Sequence, residues 1–249
     1  EGRIYKKLAP LVLRMDAEDY LKLPPLVNNT VDVELPPDAR KIYDTMEELL
    51  ISAVEDETVT AANLAAASIK CRQIANGGIY KDDHKGWADI HDAKTEAVVE
   101  LVEELSGKPA LIAYEFKHDL ARLRAVLGED VPHLGGGVTG KQQVAIEAAW
   151  NAGKLPVLLA QPQSVAHGLN LQGTGAAVIW HSLTYDLENY EQLVRRIWRQ
   201  GQKERVVVHH IVAKNTVDAA IMRALRSKDR TQRALLSALR DYAKQRKEK

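Results

Sequence analysis

The sequence predicts an α/β fold in three layers, a mostly parallel sheet between helices, preceded by a helical segment. Three observations predict it. From Ala93 onward, short apolar runs alternate with amphipathic stretches of helical length. The apolar runs are continuous rather than alternating, as expected for strands covered on both faces. Residues 1–92, by contrast, carry mostly helical periodicity.

The elements follow in order. Tyr5 to Leu21 reads as a helix, with Leu8, Leu11, Val12 and Met15 apolar, and LKLPPL ends it because two prolines disfavour helix. Asn29 to Leu35 alternates apolar and polar residues and reads as a strand. The prolines of PPDARKIYDTMEELLISAV open a helix with Ile42, Tyr43, Met46, Leu49 and Leu50 at helical spacing. Ala61 to Ile74 is a second helix, stopped by Asn76, Gly77 and Gly78. Gly77 to Asp92 is polar and turn-rich and reads as a loop. Then come a helix (Ala93 to Leu105), a strand (Ala110 to Tyr114), a helix (His118 to Leu127), a short strand VPHL and the turn GGGVTG. A helix (Gln142 to Ala152), strands at Pro156–Pro162 and Ala176–Trp180, a helix (Leu187 to Trp198), a strand (Arg205 to Val212) and a largely helical end from Val217 to Lys244 complete the series.

Composition bounds the function. An apolar fraction of 45% fills a globular core. Basic and acidic residues balance at 34 each, which argues against a whole-protein grip on nucleic acid but allows a local one. The asymmetry is local: Met222 to Lys249 holds ten Arg or Lys against three Asp or Glu. This end reads either as a solvated, frayed terminus or as a salt-sensitive handle on a phosphate backbone. A single cysteine, Cys71, excludes an internal disulfide and a thiolate zinc cluster, and reads as a buried thiol. The histidines form no metal signature, and His209 and His210 must point to opposite faces of their strand. No apolar run reaches membrane-spanning length, no signal peptide is visible, and an intracellular protein without membrane contact is expected. The chain opens EGRIYKKLAP without Met, which reads as the interior of a longer protein or as a processed chain.

The stretch QLVRRIWRQGQ, Gln192 to Gln202, carries the chemistry. The spacing of Arg196 and Arg199 predicts one helical face just after a strand. Paired guanidiniums there suit a polyphosphate, or a partner's nucleotide site as arginine fingers. The bland alternative is a solvated or salt-bridged helix arginine. Gly135 to Gln142, GGGVTGKQ, matches the phosphate-loop pattern until its last position, where Gln142 stands for the magnesium-binding hydroxyl. Lys141 is left as a solvated lysine on a glycine turn, or as a point charge for a nucleic-acid backbone. No nearby strand ends in paired acids.

Around those arginines the sequence resembles a known family. QLVRRIWRQGQ is similar to the sixth helicase motif, Q-x-x-x-R-x-H-R-x-G-Q, of superfamily 2 translocases of the switch/sucrose-nonfermenting (SWI/SNF) type. Gln192, Arg196, Arg199, Gly201 and Gln202 match, and Trp198 replaces His. SVAHGLNLQGTGAAVIW resembles the fifth motif through Gly168, Asn170 and Leu171, with His167 in place of a glycine. LVLRMDAEDYLKLPPL resembles the segment joining two motor lobes, with Arg14 in register and Met15 for a second Arg. IKCRQIANGG matches at Arg72, Gln73, Ile74 and Asn76, DAKTEAVVELVEEL with KPALIAYEFKHDLARL resembles the fourth motif, and Thr216, Val217 and Asp218 fall near T-V-E of the closing segment. The departures at Trp198, His167 and Gln142 suggest a divergent member, with a phage as a candidate source and the host cytoplasm as its location.

The resemblance implies a RecA-like helicase C-terminal lobe at 93–222, a helical lead-in and interlobe segment at 1–92, and a basic C-terminal helix at 223–249. It implies a DNA-dependent ATPase. A partner N-terminal RecA-like lobe, absent from this sequence, would hold ATP and Mg2+, and double-stranded DNA would be tracked. Arg196 and Arg199 would be the catalytic donors, Gln192, Gly168 and Asn170 would serve the nucleotide side, and Ser164 and Lys141 would meet the DNA backbone. This segment alone is expected to be inactive. Two other readings compete: a silent nucleic-acid-binding or regulatory module that keeps the fold, and an autonomous α/β enzyme using GGGVTGK.

Overall fold

A computed structural model describes residues 23–55, 61–81, 85–165, 168–172, 177–227 and 232–247. The expected helix at 5–21, Arg14, Met15 and His167 lie outside the described residues.

The strands are β1 (Leu26–Val33), β2 (Gly78–Tyr80), β3 (Trp87–Asp89), β4 (Ala110–Ala113), β5 (His133–Leu134), β6 (Val157–Ala160), β7 (Ala177–Trp180) and β8 (Val206–Ala213). The helices are α1 (Pro37–Glu55), α2 (Ala61–Asn76), α3 (Ala93–Glu104), α4 (Lys117–Leu127), α5 (Gly140–Asn151), the single turn α6 (Pro162–Val165), α7 (Leu187–Ile197), α8 (Asp218–Ser227) and α9 (Gln232–Lys247).

Six strands form one parallel sheet in the order β1-β8-β7-β4-β6-β5. Its central strands are the continuous apolar runs, and β4, β6 and β7 are buried at every residue. Alternate residues divide between the two faces. Ile112, Leu159, Ile179 and Ile211 pack under Ala97, Val98 and Leu101 of α3 and Leu123 of α4. Leu111, Leu158, Val178, Trp180 and Val208 pack against Trp150 of α5, Leu193, Val194 and Ile197 of α7, and Ile221 and Met222 of α8. Helix, sheet and helix are the three layers expected.

The lead-in joins this lobe rather than only preceding it. β1 forms an edge of the sheet, pairing with β8 from Leu26 opposite Val206 to Val33 opposite Ala213. A further cluster joins Tyr43 and Leu50 of α1, Cys71 and Ile74 of α2, and Leu239 and Tyr242 of α9 over Ala213 and Val217. Cys71 is buried there, and burial pushes its thiol up to about 12. The segment read as a loop, Gly77 to Asp92, contains the antiparallel hairpin β2–β3. Three-residue strands in a turn-rich stretch leave no period for sequence to detect.

The basic end is also partly spent on structure. Ala238, Leu239, Tyr242 and Ala243 bury one face of α9. Arg246 bonds Glu47 at 2.7 Å and Asp44 at 3.4 Å, and Tyr242 donates to Glu47.

Candidate functional site

Because every strand of the main sheet is parallel, the sheet has an amino edge and a carboxyl edge. The expected site residues divide between them. Arg196, Arg199 and the Gly168–Gln172 strap, which precedes β7, lie at the amino edge. Ser164, just after β6, and Lys141, at the start of α5, lie at the carboxyl edge.

Helix α7 begins at the carboxyl edge with Asp186, whose carboxylate accepts from the Asn189 N–H at 2.9 Å, and runs to the amino edge. It ends at Ile197 because Trp198 leaves helical geometry, with φ −88° and ψ 84°. Arg196 is thus helical and Arg199 sits on the turn beyond, so the single helical face expected for the pair is not formed. The Trp198 indole N–H donates to the Pro24 carbonyl at 2.8 Å. The buried Gln202 donates to the Ile197 carbonyl at 3.4 Å and accepts from the N–H groups of Lys203 at 3.0 Å and Glu204 at 3.1 Å. Gly201 closes the turn at φ +98°, a left-handed conformation glycine adopts at little cost.

The strap 169–172 is gripped at each residue. Arg196 Nη1 donates to the Leu169 carbonyl at 3.2 Å. The Asn170 N–H donates to Glu147 at 2.9 Å, and the Asn170 carbonyl accepts from Asn151 Nδ2 at 2.7 Å. The Leu171 carbonyl accepts from the buried Trp150 indole at 2.9 Å. Gln172 donates to the Gln200 carbonyl, tying the strap to the arginine turn. Gly168 enters the strap at φ +80°, in the left-handed region.

Arg199 is exposed, and among the described residues nothing engages its guanidinium. Gln192 donates to Glu188 at 2.9 Å, while its carbonyl oxygen is buried without a hydrogen-bond partner among the described residues. Asn170 is exposed on the strap. The amino edge therefore offers guanidiniums and amides, donors suited to phosphate oxygens. Glu147 beside the strap accepts an amide hydrogen bond, as does Glu188, one turn before Gln192 on α7. Among the described residues no group of His, Cys, Asp and Glu converges as a metal site.

The glycine loop has a structural explanation. Thr139 is the N-cap of α5, accepting from the Gln142 N–H at 3.4 Å, and Gln142 reaches back to the Thr139 N–H at 2.9 Å. This is a capping box, and Gln142 is its required third residue. Lys141 is exposed in the first turn. Ser164 is exposed and held by Gln161 through backbone and side chain at 2.9 and 3.4 Å.

The carboxyl edge also holds a buried polar lock that sequence reading missed. Lys94 Nζ pairs with Asp218 at 2.6 Å and donates to Asn76 at 2.8 Å. Asn76 donates to Ser182 and, at 3.3 Å, to Asp119. Burial and its positively charged neighbours pull His181 down to about 3, despite the opposing pull of Asp119. For Asp119, burial pushes the carboxyl upward. Its bond to His118, the charges of His181 and His118 and the Phe116 N–H outweigh it, leaving the group well below the usual carboxylate range. The three segments that supply Asn76, Lys94 and Asp218 were each visible as motif fragments. Their convergence was not.

Comparison with known proteins agrees with this architecture. Residues 93–201 match the helicase conserved C-terminal domain. The chain is 39% identical over 238 residues to protein p41 of Acyrthosiphon pisum secondary endosymbiont phage 1, across 94% of this chain and 50% of that protein. It is 28% identical over 232 residues to an uncharacterized ATP-dependent helicase of Mycoplasma genitalium, spanning 22% of that protein. Thus it spans about half or less of these relatives. Among solved structures, the C-terminal part of the Fun30 ATPase domain superposes with a TM-score of 0.67 at 15% identity, covering 91% of this chain and 99% of that one. The Sulfolobus solfataricus SWI2/SNF2 ATPase core in complex with dsDNA gives 0.62 at 20% identity, over 91% of this chain and 50% of that one. At such identities the likeness is one of fold. Residues 93–201 are thus similar to a helicase C-terminal domain, and the lobe has the RecA-like fold also seen in SWI2/SNF2 ATPase cores. Among the described residues no helix is long and apolar enough to cross a membrane.

Proposed function

We propose that this chain is the second motor lobe of a DNA-dependent ATPase, supplying Arg196 and Arg199 to ATP held by a separate first lobe. The observation that carries the reading is the amino-edge turn. It is tightly built from Gln172, Gly201 and Gln202, yet leaves the Arg199 guanidinium exposed and unspent. A permanently charged planar fork held on a fixed turn stabilises charge as it develops on a transferring phosphoryl group. Arg196 is turned partly inward to the Leu169 carbonyl and positions the strap as well as adding charge. Gln192, Gly168 and Asn170 would serve the nucleotide in this reading.

Magnesium belongs to the first lobe in this reading, since the amino edge offers donors for an anion. Bound there, the ion would neutralise phosphate charge. Double-stranded DNA would follow the carboxyl edge, where Ser164 and Lys141 present a hydroxyl and an ammonium to backbone phosphates without reading sequence. The balanced overall charge limits that contact to a local, salt-sensitive one.

The test is steady-state ATP hydrolysis by the full-length protein with saturating duplex DNA. Arg199→Ala should lower turnover by about 10³-fold or more, as loss of an arginine finger does. Arg199→Lys should recover little, and the circular-dichroism melt should not move. Near-normal turnover in Arg199→Ala would overturn the proposal. No DNA-stimulated turnover in the unmodified full-length protein would favour a silent regulatory module instead.

A further inference from the structure

We propose that the last turn of α5 positions the arginine turn: Glu147, Trp150 and Asn151 fix the strap 169–172, and the strap fixes Arg196 and Arg199. The catalytic half of this proposal rests on the reading of those arginines as phosphate donors. The mechanical half stands on the geometry alone.

The strap belongs to no helix or strand. Its backbone needs partners, and among the described residues side chains provide them. Three come from one helical turn, at positions 147, 150 and 151, which spacing places side by side. Glu147 accepts from the N–H of Asn170 and Asn151 donates to its carbonyl, so this one peptide residue is held from both sides. Trp150 holds the next carbonyl from inside the core.

The held strap then acts in two directions. Its Leu169 carbonyl receives Arg196. Its Gln172 amide bonds the Gln200 carbonyl and lies against Gly201, where an added Cβ would land on it. Arg199 is the residue immediately before Gln200, and its carbonyl accepts from the Gln202 N–H at 3.0 Å. A shift of the strap is therefore passed both to Arg196 and to the turn bearing Arg199.

The core does not require this arrangement. Trp150 is the buried residue of α5, whereas Glu147 and Asn151 are half-buried and could remain solvated. Ordering two such side chains against a loop costs rotamer entropy. Placing a catalytic donor repays precision, because small misplacements at a reacting centre cost large factors in rate. Glu147, Trp150 and Asn151 are positioning residues, since none reaches the exposed Arg199 side.

Two measurements test the relay. Hydrogen exchange on the chain itself should show the 170–172 and 199–202 amides exchanging at least about tenfold faster in Glu147→Ala/Asn151→Ala. Glu147→Gln keeps an acceptor oxygen and should stay near wild type. Gln172→Ala should loosen 199–202 and leave Asn170 protected. Acceleration confined to 170–172 in the double variant would overturn the relay.

In the full-length protein Glu147→Ala should lower kcat about tenfold with KM for ATP little changed. It should lower kcat by a smaller factor in an Arg196→Ala background than in the wild type, because one of the two arms through which the strap acts is already lost. Additive losses, or a change in KM alone, would overturn the catalytic half. If Arg196→Ala and Arg199→Ala themselves left turnover intact, the motor reading would fail, and hydrogen exchange would still decide the relay.

Discussion

Replacing Lys94 with Met should be the most damaging polar-to-apolar change in the lobe. The Lys94 and Asp218 side chains are 0% and 2% exposed, with Nζ 2.6 Å from the carboxylate. Removing the ammonium leaves Asp218 with the Ala213 N–H at 2.9 Å and strips Asn76 Oδ1 of its donor. Breaking one side of a buried pair costs about 3–5 kcal/mol, mostly because a charge is stranded. For a domain of this size each kcal/mol moves the Tm by about 2–4 °C, so a fall of about 6–20 °C is expected. The surface pair Lys41–Asp38, with side chains 79% and 96% exposed, is the contrast. Asp38→Ala should cost well under about 1 kcal/mol.

Urea unfolding followed by circular dichroism measures both. The double variant Lys94→Met/Asp218→Asn removes the stranded charge and should recover part of the loss, giving a coupling of about 1–3 kcal/mol in the cycle. A Lys94→Met loss below about 1 kcal/mol, or strict additivity, would refute the view that this pair locks α3 and α8 across the carboxyl edge.

Two further outcomes follow from the same geometry. Gly201→Ala forces a side chain into φ +98° against Gln172 and should cost about 1–3 kcal/mol in urea, whereas Gly136→Ala meets open space and should stay within about 0.5 kcal/mol. Burial pulls His91 and His210 down to about 4 and His181 to about 3. Unfolded histidine titrates near about 6.5, so the unfolded chain takes up protons first as pH falls. Stability should decline below about pH 6.5, by up to about 1.4 kcal/mol per unit for each histidine, and this contribution should level off once pH passes the folded values. A urea midpoint unchanged between pH 7 and 5 would contradict it.

Much of the fold was legible because strands buried on both faces and helices with one apolar stripe write their periods into sequence. ALIA, VLLA and AVIW needed no tertiary information. The arginine turn was legible as residues but not as geometry. Spacing alone carried the helix through Trp198, whereas the indole's bond to Pro24 and the Gln202 amide on Ile197 end it earlier. Those partners lie in other segments or beyond the turn. The positioning residues were less visible still. Trp150 is core, but its N–H bond to the Leu171 carbonyl leaves no local mark in the sequence. Glu147 and Asn151 look like any polar helix surface. Lys94 stands in an ordinary amphipathic stretch, and its partners come from α2 and α8.

The departures from the motif pattern now have a common physical character. Gln142 replaces a metal-binding hydroxyl and closes a capping box, so it supports a helix start rather than marking a damaged nucleotide loop. Trp198 replaces a histidine and retains a ring N–H donor, while its larger ring lines a groove of about 720 Å³ with Leu23, Pro24, Val194 and Met222. Both changes are absorbed by local packing and hydrogen bonding. The charged groups pointing outward, Arg199 at one edge and Lys141 at the other, do no structural work that the described residues reveal. Replacing such an exposed charge costs little stability, so a loss of turnover in Arg199→Ala would report on phosphate chemistry and not on folding. On the proposed motor reading the exposed arginine, rather than the tryptophan built into the groove, is the residue on which activity should turn.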